Sequence, residues 1–137
     1  MSASIKLKQL NHYNIRVSGP LFDEVRDFYV NVIGLTEGWA PGPFEFPVVW
    51  LYLGDQPVLH LNDRPFDTST PPPESRSTGW LDHIAFTCSD SASAMVRLDQ
   101  LNIPYVHNVF EKFGIVQFLL RDPVGIQIEL NFSGEDV

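Results

Sequence analysis

Apolar and polar residues alternate in two short segments, one near the start of each half of the chain. Residues 10–18 read LNHYNIRVS and residues 81–89 read LDHIAFTCS, and this period of two is typical of a half-buried strand. Apolar residues recur at helical spacing just after each segment, at Leu21, Val25, Phe28 and Val32 and again at Ala94, Leu98 and Leu101. Three further short strands follow each predicted helix, separated by Gly, Pro and Asp. Both halves are therefore predicted to be βαβββ units.

The two units also agree in where their less usual residues fall. His83 follows His12 by 71 residues (83 − 12), and Glu129 follows His60 by 69 residues (129 − 60). Near-equal offsets are what an internal duplication with small changes in loop length would give. The predicted fold class is accordingly α+β, built from two βαβββ modules.

A chain of 137 residues fits one domain of ordinary size. We predict a single domain over residues 1–137, with a first module at 5–62 and a second module at 80–132. Residues 63–79 are rich in Pro, Ser and Thr and lack apolar periodicity, so they are predicted to form a linker loop.

One face of four predicted strands carries a potential metal ligand. Side chains alternate across a strand, so His12 shares its face with Asn14 and Arg16, while the more apolar neighbours point the other way. A single histidine on a strand is usually structural. Here, however, ligand-type side chains occupy matching positions in the first and last strands of both modules: His12, His60, His83 and Glu129. Three histidines and a carboxylate suit a borderline divalent cation, so the pattern predicts one Fe, Zn, Ni or Mn ion per site.

Composition argues against several classes of partner. The chain has 17 acidic and 9 basic residues and a net charge of −8, whereas nucleic acids and anionic membranes bind clustered Lys and Arg. No apolar run reaches the roughly 18 residues of a membrane span, and the N-terminus lacks the apolar stretch of a secretory signal. Cys88 is the single cysteine, so no internal disulfide forms, and it is read as a small buried strand residue. We expect a cytoplasmic protein that acts on a small molecule.

Four segments together resemble the vicinal oxygen chelate superfamily, which includes glyoxalase I, extradiol ring-cleaving dioxygenases, fosfomycin-resistance proteins and bleomycin-binding proteins. They are LNHYNIRV at 10–17, FYVNVIGL at 28–35, LDHIAF at 81–86 and DPVGIQIEL at 122–130. The set is specific for the superfamily and much less so for any one member. The resemblance implies paired βαβββ modules that curl into an open, barrel-like cup with a metal inside.

The resemblance also implies roles for the candidate ligands. His12, His83 and Glu129 match the three metal positions that metal-using members widely share, and His60 matches the fourth. Glyoxalase I-like members usually carry a carboxylate at that fourth position, where it doubles as a proton-shuttling base, so His60 is a departure from their pattern. In short two-module relatives the modules often pair across a dimer. We therefore expect a homodimer in which His12 and His60 of one chain meet His83 and Glu129 of the other.

Three functions stay open at this level. The first is metal-assisted proton transfer of the lyase or isomerase type, on a substrate with vicinal oxygens and with His60 and Glu129 as catalytic residues. The second is an extradiol-type dioxygenase, an oxidoreductase whose Fe²⁺ is held by His12, His83 and Glu129, with His60 or His107 as a nearby acid or base. The third is a non-catalytic drug- or metabolite-binding protein, which ranks last because all four candidate ligands are present.

Four further residues are predicted to line the substrate pocket. Trp50 and Tyr52 share a strand face and could stack on a flat substrate, and Asn14 lies on the face of the first strand that bears His12. Arg16 on that same face is expected either to pair with a substrate carboxylate or to form a structural salt bridge. Residues 38–47 contain three Pro and two Gly and are predicted to form a loop over the mouth of the site.

Overall fold

The computed structural model describes residues 3–66 and 78–137, so the central part of the predicted linker, 67–77, lies outside the described residues. The first module contains β1 (Tyr13–Arg16), α1 (Pro20–Phe28), β2 (Thr36–Gly38), β3 (Val48–Leu53) and β4 (Gln56–Asn62). The second module contains β5 (His83–Thr87), α2 (Ser91–Gln100), β6 (Val106–Phe110), β7 (Ile115–Arg121) and β8 (Gln127–Ser133). The predicted α+β class with two βαβββ modules is confirmed.

Each module forms its own four-stranded sheet, with strand order β1–β4–β3–β2 in the first and β5–β8–β7–β6 in the second. The first and last strands of a module pair in parallel, and the other neighbours are antiparallel. His60 lies opposite Asn14, two residues beyond His12, and Glu129 lies opposite Ala85, two residues beyond His83. The same register in both sheets therefore brings each pair of candidate ligands into diagonal contact distance on one face.

The opposite face of each sheet packs into the core with the help of the helices. Helix α1 contributes Phe22, Val25 and Phe28, whereas α2 contributes Leu98 as its one buried residue. Alternate positions of β8 are buried, at Ile128, Leu130 and Phe132, as the hydrophobic pattern predicts. Within the described part of the chain, neither helix is long and apolar enough to cross a membrane.

A buried polar contact joins the two modules. The hydroxyl of Tyr29, which is fully buried, donates a hydrogen bond of 2.9 Å to Oδ2 of Asp122 in the turn before β8. The other carboxylate oxygen accepts the backbone amides of Val124 and Ile126 at 3.0 and 2.8 Å. Burial raises the pKa of Asp122, and these hydrogen bonds oppose that rise. The Tyr29–Asp122 bond thus fixes one module against the other.

The element boundaries differ from the predicted ones at two places that matter for the site. Strand β1 begins at Tyr13, so His12 lies immediately before the strand and not within it. The first helix changes to π-helical hydrogen bonding over Tyr29–Ile33, and Gly34 then ends it with a φ of 98°. Only a residue without a Cβ takes up that left-handed backbone at low cost.

Candidate metal centre and substrate cavity

In the first module, His12 and His60 lie together on the sheet face that is turned away from the core. Their ring centroids are 3.7 Å apart and the rings are inclined by 16°. Trp50 of β3 stacks on the opposite side of the His60 ring, with centroids 4.0 Å apart and planes inclined by 5°. Since β4 lies between β1 and β3, His60 is held flat between these two rings.

One nitrogen of this sandwiched ring is buried without a partner. His60 Nε2 has no hydrogen bond to any described residue. Burial lowers the pKa of His60, and the neighbouring His12 lowers it further, so the imidazole is neutral at pH 7. A buried polar atom left unpaired costs about 1–3 kcal/mol. A neutral imidazole nitrogen with an unused lone pair fits a metal ligand or a general base.

In the second module, His83 and Glu129 form the corresponding pair. His83 Nε2 lies 3.3 Å from Glu129 Oε2. The other carboxylate oxygen, Oε1, accepts a hydrogen bond of 2.8 Å from Nε2 of Gln117 on β7. The sequence reasoning missed Gln117, which turns Glu129 towards His83. A carboxylate held this way turns its second oxygen towards the imidazole of His83.

Both first-strand histidines have a polar partner in the residue just before them. His12 Nδ1 lies 2.7 Å from Asn11 Oδ1, and His83 Nδ1 lies 2.7 Å from Asp82 Oδ2. This hydrogen bond to Asp82 is the main reason that the pKa of His83 is raised. When Nδ1 donates its proton to such an oxygen, Nε2 is left as the free nitrogen for a metal ion. The Asn-His and Asp-His pairs recur in the sequence, so this signal was available there.

The four candidate ligands are brought together as two pairs. His12 and His60 belong to the first module, and His83 and Glu129 belong to the second. Over residues 3–66 and 78–137, no group of three or more His, Cys, Asp or Glu side chains is close enough to hold one ion. A complete four-ligand site therefore needs the ligand faces of two modules to meet.

A cavity of about 230 Å³ opens beside His60 on the same face of the first sheet. It lies between the ends of the strands and the loop at 39–47, which the sequence predicted to cover the site. Phe44 and Phe46 from that loop are stacked, with ring centroids 5.6 Å apart. The cavity is lined by Asn14, Pro41, Phe44, Phe46, Val48, Trp50, His60, Leu61, Asn62 and Arg64.

Two of the four predicted pocket residues line this cavity and two do not. Asn14 and Trp50 line it. The Arg16 guanidinium instead donates to the backbone carbonyls of Arg64 and Pro65. The Tyr52 hydroxyl donates to the carbonyl of Trp39 at 2.6 Å, which holds its ring away from the cavity.

His107, the alternative acid or base, lies on the other side of the second sheet from Glu129. Its ring meets Phe118 edge-on at 5.0 Å, and Phe118 is a fully buried core residue of β7. His107 therefore has no contact with the His83–Glu129 pair, because alternate residues of a strand face opposite ways.

Comparisons with known proteins agree with this fold. No family model matches the chain. Glyoxylase I 4 of Arabidopsis thaliana is 28% identical over 128 residues, which cover 92% of this chain and 71% of that protein. A crystal structure of a glyoxalase/dioxygenase from Nostoc punctiforme superposes with a TM-score of 0.71 at 20% identity, covering 98% of this chain and 100% of that one.

The chain is thus similar to the vicinal oxygen chelate superfamily in both sequence and fold. The resemblance seen in the sequence segments is confirmed. An antibiotic binding protein from a Streptomyces species also shares the fold, with a TM-score of 0.62 at 18% identity over 96% of this chain and 100% of that one. Proteins with this fold therefore include some that are named as enzymes and some that are named as binding proteins.

Proposed function

We propose that this chain is a divalent-metal-dependent enzyme of the glyoxalase type that catalyses proton transfer on a small substrate with vicinal oxygens. The observation that carries the proposal is His60 Nε2, a neutral imidazole nitrogen buried without a partner beside a cavity. His12, His83 and Glu129 are the residues that would hold the ion, and imidazole and carboxylate suit Zn, Ni, Mn or Fe. A bound ion supplies Lewis acidity towards a substrate oxygen.

Other features of the chain would orient the metal ligands and accept the proton. Asn11 and Asp82 contact the Nδ1 atoms of His12 and His83, which leaves Nε2 of each ring as the nitrogen that would bind the ion. His60 Nε2 is the atom that would take a proton from the substrate, because its lowered pKa keeps it unprotonated near neutral pH. Stacking between His12 and Trp50 keeps the ring in one orientation.

We further propose that two copies of the chain complete each site. One module offers two ligands, so a second module must face it. Large apolar side chains around the ligand faces are exposed in the single chain, with Trp80 fully exposed and Leu81, Val106 and Phe110 between 41% and 56% exposed. Exposed apolar patches of this kind mark protein interfaces. A homodimer with two shared sites would cover them.

Elemental analysis of the purified protein tests the proposal. Wild type is expected to hold about one ion per chain, since a dimer has as many sites as chains. His12→Ala and Glu129→Ala should lose the ion, and the matched control His107→Ala should keep it because His107 lies on the other side of its sheet. Wild-type protein that takes up no metal on reconstitution would contradict the proposal.

Activity measurements then separate ligand from base at His60. With Zn, Ni or Mn bound, hydroxy-ketones and hemithioacetals are the substrates to screen. If His60 acts as the base, His60→Gln should keep the ion and lose most turnover, by roughly a hundredfold or more. Loss of the ion itself in His60→Gln would instead assign His60 as a ligand.

Two other functions have support of their own. The neighbour from Nostoc punctiforme is described as a glyoxalase/dioxygenase, and His12, His83 and Glu129 match the two-histidine, one-carboxylate set of Fe²⁺ oxygenases. Iron in the purified protein, with oxygen uptake on addition of catechols, would favour that function. The antibiotic-binding neighbour favours a non-catalytic role, which would appear as ligand binding that is equally tight with and without metal.

A further inference from the structure

The cavity beside His60 has an uneven distribution of charge. Its walls are mostly apolar, with Phe44, Phe46, Val48 and Trp50 as the main contributors. Among the described residues that line it, Arg64 is the one charged residue apart from the titratable His60, and none is a carboxylate. The chain has a net charge of −8, so an arginine without a carboxylate in the described part of the lining is a notable feature of this cavity.

A network of hydrogen bonds fixes the backbone that carries Arg64. The amide of Arg64 donates to Asn62 Oδ1 at 3.2 Å, and Asn62 Nδ2 donates to Asn14 Oδ1 at 2.8 Å. From the other side, Arg16 Nε donates to the carbonyl of Arg64 at 2.9 Å, and its NH2 group donates to the carbonyl of Pro65. Asn14 and Arg16 therefore position the segment at 62–65, and Asn14 also lines the cavity as predicted.

The side chain of Arg64 differs from that of Arg16 in its polar contacts. Among the described residues, none forms a hydrogen bond or ion pair with its guanidinium, whereas that of Arg16 is occupied by two carbonyls and lies 4.3 Å from the centroid of the Phe66 ring. A guanidinium with free donors binds carboxylates through two parallel hydrogen bonds. Because Arg64 is a lining residue, the cavity suits a ligand that carries an anionic group.

The size and shape of the cavity suit one aromatic ring. Apolar cavities of about 150 Å³ in proteins bind benzene. The volume of about 230 Å³ leaves room for one ring and a short acidic substituent. Phe44, Phe46 and Trp50 provide flat apolar surfaces, which favour a planar ring over a bulky aliphatic group.

We infer that Arg64 is a specificity-determining residue, and that the cavity takes an aromatic ligand whose carboxylate pairs with its guanidinium. The inference deepens the proposed function, since this cavity adjoins His60 and would hold part of the substrate. Arg16 is a positioning residue in this account. It acts through the carbonyls of Arg64 and Pro65 and does not touch the ligand.

Three probes separate the ring from the charge: phenylacetate, its neutral isostere phenylacetamide, and acetate. Dissociation constants are measured by calorimetry on the full chain, first after treatment with EDTA, so that no metal ion can hold the carboxylate, and then on the metal-loaded protein. Wild type should bind phenylacetate about tenfold more tightly than either other probe in the metal-free protein, which is the size of effect expected for a charge-assisted hydrogen bond.

Variants of single residues show which side chains cause the preference for phenylacetate. In Arg64→Gln, the affinity for phenylacetate should fall to that for phenylacetamide, whereas the affinity for phenylacetamide should not change. Arg64→Lys should retain part of the preference for phenylacetate. Arg16→Gln should also weaken phenylacetate selectively. The matched control is Arg26→Gln, because Arg26 lies on α1 and pairs with Asp23 and Asp27 away from the cavity.

Equal affinity of wild type for phenylacetate and phenylacetamide would overturn the inference. So would an unchanged preference in Arg64→Gln, or the failure of all three probes to bind at millimolar concentration. The proposed function fails in a different way. If the protein takes up no metal but keeps its preference for phenylacetate, the Arg64 subsite stands as part of a binding protein.

Discussion

Replacing Tyr29 with Phe removes the hydroxyl that joins the two modules. That hydroxyl is fully buried and donates to Asp122 at 2.9 Å. A hydrogen bond to a charged group contributes about 1.5–3 kcal/mol, and its removal leaves one carboxylate oxygen without a donor. The other oxygen of Asp122 still accepts hydrogen bonds from the amides of Val124 and Ile126, so the carboxylate keeps part of its hydrogen bonding. We expect the free energy of unfolding to fall by about 2 kcal/mol.

Urea denaturation followed by far-ultraviolet circular dichroism measures this change. With a slope of roughly 1–3 kcal/mol per molar urea, the midpoint should fall by about 1 M. Protein concentration is held fixed, because the proposed dimer would make the apparent stability depend on it. The control is Tyr105→Phe, which removes an exposed hydroxyl that donates to Asp99 at 3.1 Å and should change stability by less than about 0.5 kcal/mol. Equal losses in the two variants would refute the role given to Tyr29.

Three further predictions concern charge, ligand orientation and packing. Burial raises the pKa of the Asp122 carboxyl in the folded protein above the pKa of the same group in the unfolded chain. The contribution of this carboxyl to stability is therefore fully present at pH values below the unfolded-state pKa. It is lost as the pH rises through the folded-state pKa. The stability of wild type relative to Asp122→Asn should therefore fall as pH rises from about 4, measured by urea denaturation at several pH values, and a rise would contradict the burial argument. Asp82→Ala removes the partner of His83 Nδ1 and should weaken metal binding by about 10–100-fold in competition with a chelator, whereas unchanged affinity would show that this hydrogen bond does not orient the ligand. Gly38→Ala would place a Cβ 2.7 Å from Cε1 of Tyr52, so we expect a loss of about 1–3 kcal/mol in thermal unfolding, and an unchanged melting temperature would mean that the Tyr52 ring moves freely.

The architecture was predictable because strand alternation is decided locally. Apolar and polar residues alternate over Leu59, His60, Leu61 and Asn62, and these four residues form the second half of β4, Gln56–Asn62. The π-helical turn at Tyr29–Ile33 was not predictable in this way. Hydrophobic spacing shows which side of a helix is buried, but it does not show which carbonyl each amide will reach.

The placement of His60 beside His12 and of Glu129 beside His83 was also predictable, since the face on which a strand residue lies follows from the period of two. The family resemblance already implied their division into two pairs, one per module, whereas hydrophobic spacing does not show how whole modules are placed relative to one another. Arg64 was missed because it follows the last strand of its module, in a segment whose composition predicts a linker. Arg16 contacts the backbone of Arg64 and Pro65, which lie 48 and 49 positions further along the chain, and no local sequence pattern predicts such a contact.

The central claim is that each metal site is formed by the first module of one chain and the second module of another. The most direct measurement of this claim is to mix two variants that each fail to bind the metal. His12→Ala and Glu129→Ala are purified separately, mixed in equal amounts under conditions of subunit exchange, and analysed for bound metal. Each variant alone should hold none. In the mixture, half of the dimers pair one variant with the other, and each of these has one undamaged site, so about a quarter of the wild-type metal should return. A mixture that recovers no metal, while wild type holds one ion per chain, would contradict the claim and place all the ligands of a site within one chain.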